Sequence, residues 1–378
     1  MKKIVLLANT GWFIYNFRIA LLNDIYNSNY DVVVIAPNDK YTEKLKVLGY
    51  KVCDWKLNRS SLNPILELFS ILDLIKKINQ EKPDLIHNFT IKACLYGTIA
   101  SKFTNVKYVI NSITGLGHLF INNSVLIRIV RFFLKPIYSF IFNSSGSKMI
   151  FENFEDQEFF IKIGIIKNSK NTFLIEGSGV DSEFFKPSEN VKFESSGPIK
   201  LLFPSRLILE KGIEEVLVAH NQLLKKGENI QLYIAGEIDY GNRSSINKKF
   251  RQKINQNKNI FLLGHRSDMR EVFSKSDIVV LPSWREGLSK SLIEAGSMEK
   301  PIVTTDTPGC RNIIDHGVNG LLVPIKDPKA IELAILFFIK NKIAAKNFGK
   351  NLRCKVQKKF DVKIINNQTI ALYKKILN

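Results

Sequence analysis

The stretch SGVDSEFFKPSENVKFESSGP, Ser178 to Pro198, decides how the chain is divided. It is rich in Ser, Gly and Pro and sustains no hydrophobic period, which predicts a linker or exposed crossover. On both sides of it, short β-branched runs alternate with helical patterns. Before it come KKIVLLA, NFRIALLNDIY, YDVVVIAP, PILELFSILDLIKKINQ, DLIHNF, KYVINSI, KMIFEN and TFLIEG; after it come IKLLFPS, IEEVLVAHNQLLKKG, NIQLYIAG, NIFLLGH, DIVVLPS and KPIVTTD. This alternation predicts βαβ units with parallel sheets. The chain therefore reads as two doubly wound α/β domains, 1–180 and 190–358, with a helical tail over about 360–378 that returns toward the first. Such sheets bind ligands outside the carboxyl ends of their strands, so a site is expected in a cleft that the two domains face.

The chain has 378 residues, 45% of them hydrophobic, enough for two cores; single cores seldom grow past about 250 residues. A formal charge of +20 and a pI near 9.6 predict an anionic partner: nucleic acid, an acidic bilayer or a phosphorylated small molecule. The charge is spread over both halves, and no nucleic-acid-binding motif accompanies it, which disfavours nucleic acid. Cys53, Cys94, Cys310 and Cys354 form no C-x-x-C pair and have no zinc-type histidine spacing, as for reduced, mostly buried thiols in a cytosolic protein. Asn9, Thr10 and Gly11 interrupt the opening MKKIVLLANTGWF before it could form a signal-peptide core. No segment reaches about 18 uninterrupted apolar residues. The closest, SVLIRIVRFFLKPIYSFIF from Ser124 to Phe142, is broken by Arg128, Arg131, Lys135 and Pro136.

Two strand exits in the second half carry charge. In FPSRLILEKG, Arg206 follows a strand, and Lys211 stands beside Gly212 and a helix start. This combination suits a diphosphate, or else it is a solvated loop with two ordinary basic residues. In LPSWREGLSKSLIEAG, Glu286 and Gly287 occupy the loop, a helix is expected to begin near Leu288 or Ser289, and Glu294 lies inside it. Gly287 permits close approach to the backbone, and the exposed N–H groups of a helix start favour an anion. Eight residues of helix rise about 12 Å; part of the segment is loop, which changes the separation somewhat, yet it stays near the span from ribose to hexose in a sugar nucleotide. Glu294 would then hold the ribose hydroxyls, Glu286 would face the sugar, and phosphate would lie between them.

The segments SRLILEKG, EGLSKSLIEA, PIVTTDTPGCRNIIDHGVNGLLVP and GSGVDSEFFKP resemble the retaining glycosyltransferases of family 4, whose fold is GT-B. The resemblance implies that Arg206 and Lys211 bind the donor diphosphate, that Gly287 and Leu288 offer N–H groups, and that Glu294 holds the ribose. It puts Glu286 by the transferred sugar, His265 or Arg266 at the border of the base, and Gly236, Thr305 and Asp306 beside the donor. His265, Thr305 and Asp306 equally suit plain turns. His118, in the glycine-rich TGLGHLF, is either at the active-site lip with a catalytic part or the cap of a loop. His87 reads as structural or acceptor-side. Asn16 and Arg18 are candidate acceptor contacts.

No D-x-D is present, and the family implies a metal-independent reaction with no cofactor beyond the nucleotide-sugar donor. Similarity to bacterial enzymes extending undecaprenyl-diphosphate sugars implies a UDP-hexose or UDP-N-acetylhexosamine donor, a polyprenyl-diphosphate-linked acceptor, and a part in O-antigen or capsule assembly. Between Asp84 and Glu152 there is no acidic residue, while Arg128, Arg131 and Lys135 stand among aromatic and aliphatic residues. That pattern predicts either a cytoplasmic protein held peripherally on the anionic inner face of the cell membrane, or a buried helix whose basic side chains snorkel. Two further readings compete: a GT-B UDP-sugar 2-epimerase, which needs no acceptor, and a basic nucleic-acid-binding protein.

Overall fold

A computed structural model describes the chain except residues 59–60, 62, 116–124, 145, 188–196, 240–244, 247–253 and 255; for 125–130 and 133 only the backbone is described. It separates into two units, Met1–Ser178 with Ile365–Asn378, and Gly179–Ile364.

The first unit carries β1 (Lys3–Ala8), β2 (Asp31–Ala36), β3 (Lys51–Asp54), β4 (Leu85–Phe89), β5 (Tyr108–Ile113), β6 (Ser147–Phe151) and β7 (Thr172–Leu174) in one sheet, ordered β3-β2-β1-β4-β5-β6-β7. Every pairing is parallel, with Val5 opposite Val33 and Leu6 opposite His87. The helices between strands are α1 (Gly11–Phe17), α2 (Ile19–Asn27), α3 (Lys40–Val47), α4 (Pro64–Glu81), α5 (Ile91–Ser101), α6 (Val125–Phe142) and α7 (Phe154–Lys162). Both sheet faces are covered, which is why β1 is an unbroken apolar run rather than an alternating one. Val5 and Leu7 pack on one side with Leu74 and Ile78 of α4, and Ile4, Leu6 and Ala8 pack on the other. Helix α4 begins where Asn63 accepts from Ile65 N at 3.0 Å and Pro64 supplies a preset φ.

The second unit carries β8 (Ile199–Phe203), β9 (Ile230–Ala235), β10 (Ile260–Gly264), β11 (Ile278–Leu281), β12 (Ile302–Thr305) and β13 (Leu321–Val323), ordered β10-β9-β8-β11-β12-β13 and again all parallel. Its helices are α8 (Ile213–Lys225), α9 (Met269–Ser274), α10 (Lys290–Ser297), α11 (Pro328–Lys340) and α12 (Lys342–Lys355). In this order β8 and β11 are neighbours whose connections leave toward opposite sides, the topological switch point at which doubly wound sheets open a crevice.

The last helix, α13 (Val362–Leu377), begins in the second unit and from Ile365 onward belongs to the first. There Ile365, Leu372 and Tyr373 join the core of β1, β2 and β4. The Tyr373 hydroxyl lies 2.5 Å from His87 Nδ1. Among the described residues no helix is long and apolar enough to cross a membrane. Cys94 and Cys310 are buried, Cys53 is half-buried and Cys354 is exposed, all as free thiols.

Candidate active site

The second unit's switch point gathers the charged residues. After β8 the chain makes a single 3-10 turn, Leu209–Lys211, and enters α8 through Gly212 at φ +77°. A Cβ on Gly212 would lie 2.3 Å from the Pro282 carbonyl oxygen, so glycine is what lets this helix start against the exit of β11. Trp284 N donates to Glu210 O at 2.8 Å and fastens the two loops. Lys211 Nζ then meets Glu286 Oε1 at 2.6 Å, and Ser283 Oγ donates to the same oxygen at 2.7 Å. The two side chains are 17% and 11% exposed, dry enough to matter and still within reach of a ligand. Convergence of both bonds on one oxygen fixes the orientation of the carboxylate.

The exit of β12 forms a support for this pair. Thr305 is fully buried and its hydroxyl donates to Ser283 O, with Thr307 Oγ1 3.4 Å from the same carbonyl. Gly309, at φ +80°, lies so close that a Cβ would stand 2.5 Å from Gly287 O and 2.7 Å from Glu286 O. Asp306 points elsewhere, to Arg311 Nε at 2.9 Å.

Helix α10 begins at Lys290, with Ser289 as its cap, near the expected start. Only the four steps from Lys290 to Glu294 are helical, a rise of about 6 Å, and the loop supplies the rest. Glu294 is largely buried, and burial raises its pKa above the usual carboxylate range; Lys290, 3.8 Å away, partly opposes this. Leu288 is half-buried and packs against the core of the unit.

The remaining donor-side candidates lie at neighbouring strand exits. Arg206 is about half exposed and bonds Asp239 Oδ2 through Nη1 at 2.5 Å. Gly236 bridges Gly264, and a Cβ there would lie 1.9 Å from Ser205 O, so this glycine lets the exits of β8 and β9 run side by side. His265 is exposed just past β10, and Arg266 donates through Nε to Asp268 Oδ1 at 2.8 Å. Thus Lys211 and Glu286 meet directly, while Arg206, Gly236 and His265 occupy adjacent exits on the same sheet edge. Ser283, Asp239 and Gly309 complete the candidate site beside Gly212, and sequence reasoning assigns those three no part in it. The Pro-Ser pair closing DIVVLPS and the glycine after Pro308 were the available signals.

In the first unit Arg18 corrects an expectation. Rather than presenting its guanidinium at the surface as a candidate acceptor contact, it is 6% exposed, pairs with Glu152 Oε1 at 3.4 Å, donates to Gly177 O at 3.3 Å and lies over the Phe89 ring at 4.7 Å. Burial lowers its pKa despite the Glu152 charge. Two aromatic rings and a carboxylate from the end of β6 give it a closed site, which no local sequence pattern discloses. Asn16 Nδ2 donates to Trp12 O at 2.8 Å. His87 is buried between Tyr373 and Ser112, with burial and then Arg18 holding its pKa well below the ordinary value. On α6, Arg131 is half-buried and Lys135 exposed. His118 and the side chain of Arg128 lie outside the described residues.

Comparison with known proteins accounts for both halves. A family model for glycosyl transferases group 1 matches residues 185–354, and one for glycosyl transferase 4-like proteins matches 3–145. The N,N'-diacetylbacillosaminyl-diphospho-undecaprenol alpha-1,3-N-acetylgalactosaminyltransferase of Campylobacter jejuni is 29% identical, over 99% of each chain. The UDP-Gal:alpha-D-GlcNAc-diphosphoundecaprenol alpha-1,3-galactosyltransferase of Escherichia coli is 24% identical over 80% of this chain and 78% of its own. Among solved structures, HepE of Anabaena in complex with UDP superposes with a TM-score of 0.79 at 20% identity, over 99% of this chain and all of that one. The fold is GT-B, and the chain is a glycosyltransferase whose two halves match the 4-like and group 1 family models.

Proposed function

We propose that the chain moves a hexose or N-acetylhexosamine from a UDP-sugar to an undecaprenyl-diphosphate-linked saccharide, with retention of anomeric configuration and no metal ion. The observation that carries the reading is the Lys211–Glu286 pair at the β8/β11 switch point, with Glu294 buried in the helix that follows. The printed activities of the Campylobacter and Escherichia relatives support the class of donor and acceptor.

In this reading the bond between the anomeric carbon and the diphosphate oxygen breaks while the acceptor hydroxyl attacks from the same face. The departing diphosphate takes the hydroxyl proton, leaving the lengthened saccharide and UDP. Negative charge grows on the leaving group and positive charge on the sugar, so both ends need fixed counter-charges. An ammonium has three donors, and Lys211 can keep Glu286 while donating to phosphate. A guanidinium has five, and Arg206 can do the same beside Asp239. Glu286 stabilises the developing sugar cation, and Glu294 accepts from the ribose hydroxyls. The role of His118 stays with the reading as a candidate at the lip.

The test is transfer by the purified chain from a panel of UDP-sugars to a detergent-solubilised undecaprenyl-diphosphate saccharide, with the new linkage read by NMR. Acceptor-dependent UDP release and a product that keeps the donor's configuration are expected. UDP released without acceptor, or an inverted linkage, would overturn the reading.

A further inference from the structure

Helix α4 is apolar on two sides in its first half and on one side thereafter. Its inward stripe, including Leu74 and Ile78, packs on the first sheet. Ile65, Leu68, Phe69 and Leu72 fall at i, i+3, i+4 and i+7, a single opposite face, and are 65%, 56%, 62% and 51% exposed. From Lys76 onward the outward positions turn polar, with Lys76, Asn79 and Gln80. A helix needs one apolar stripe to pack, and a second stripe of large side chains left in water marks an interaction surface.

The charges around the ridge indicate what covers it. Its two acids are held and neutralised: Glu67 accepts from Lys92 Nζ at 2.8 Å and Tyr96 OH at 2.5 Å, and Asp73 accepts from Lys56 N at 2.9 Å with Lys77 Nζ 3.7 Å away. Neither belongs to the outward stripe, while exposed Lys56 and Lys76 flank it. Because α4 follows β3, its first half lies at the carboxyl edge of the parallel sheet, the edge where such sheets meet their ligands. Helix α6 starts at the same edge, and Phe132 in its first half is also exposed. A second copy fits poorly, since α4 set against α4 about a twofold axis would bring lysines against lysines.

We infer that the N-terminal half of α4 is a membrane-docking ridge: Ile65, Leu68, Phe69 and Leu72 lie in the boundary between headgroups and acyl chains of an anionic bilayer, with Lys56 and Lys76 against the headgroups. The inference rests on the reading that the acceptor is lipid-linked. It makes α4 the main docking element, ahead of the basic residues of α6.

Co-sedimentation with phosphatidylcholine vesicles carrying about 30% phosphatidylglycerol tests it. The triple variant Leu68→Gln, Phe69→Gln, Leu72→Gln changes only exposed side chains, so its melting temperature and its thermal shift with UDP-sugars should match the parent. Its vesicle partition should fall about tenfold or more. Undiminished partition of the variant, no vesicle binding by the parent, or a dimer in light scattering that the variant dissolves would each overturn the ridge. Transfer to acceptor in detergent micelles separates the two ideas. Micellar transfer together with α4-independent partition sinks the ridge alone, whereas α4-dependent partition without any transfer sinks only the transferase reading.

Discussion

Two ion pairs stand at the carboxyl ends of parallel strands, one in each unit, and their surroundings differ. Arg18 and Glu152 in the first unit are 6% and 10% exposed, and the guanidinium lies over Phe13 and Phe89. Lys211 and Glu286 in the second are 17% and 11% exposed, beside Gly212, Gly287 and Gly309 and with a serine hydroxyl on the shared oxygen. Aromatic walls close the first pair into the core, whereas the second stands where closely packed glycines bring neighbouring loops together. The surroundings of a charge, more than the charge itself, separate a structural pair from one placed to meet a substrate.

The largest effect that would break this contrast is on stability. Arg18→Ala strands Glu152 in a dry site and should cost about 3 to 5 kcal/mol in denaturant unfolding, with a double variant replacing both partners by leucine recovering part of the loss. A cost near zero would mean that Arg18 is no core residue. Next in size is turnover: Lys211→Ala or Arg206→Ala should lower kcat about a hundredfold or more, with a smaller loss of stability than in Arg18→Ala. Near-normal rates in both variants would remove them from the diphosphate site.

Smaller changes sharpen the comparison. Gly309→Ala forces a Cβ against Glu286 and Gly287 and should destabilise by about 1 to 3 kcal/mol while weakening donor binding in calorimetry. Ser283→Ala removes one bond to the Glu286 oxygen and should slow turnover about fivefold to tenfold, with KM little changed. The finest test concerns acidity. In the proposed reading Glu294 serves the ribose as a carboxylate; its pKa is raised by burial, so donor affinity should be present above that raised value and fall as the pH drops through it, sooner than for an ordinary glutamate. In Glu294→Gln, this pH dependence of affinity should vanish.

How far the sequence carried differs by element. The runs KKIVLLA and IKLLFPS announce β1 and β8 because strands covered on both faces are apolar without alternation. The helix IEEVLVAHNQLLKKG was equally legible as α8, from its period. The enclosure of Arg18 is not legible because its partner is 134 positions away, beyond any local pattern. The start of α10 is legible to within two residues, since Leu288 and Ser289 suit a helix by propensity but lie in the loop and cap. Ser283 and Gly309 were hidden for another reason: their parts depend on two strand exits lying side by side, which only the sheet order supplies.

The placement of α13 has a consequence for biosynthesis. Tyr373, fully buried, completes the core around β1 and reaches His87 across 286 positions of the chain. Domains generally fold in order as the ribosome delivers them, yet here the earliest-made sheet must wait for residues 365–377 to emerge. Until then its first-translated strands remain an unfinished surface, and the later-made unit has every residue it needs to close first.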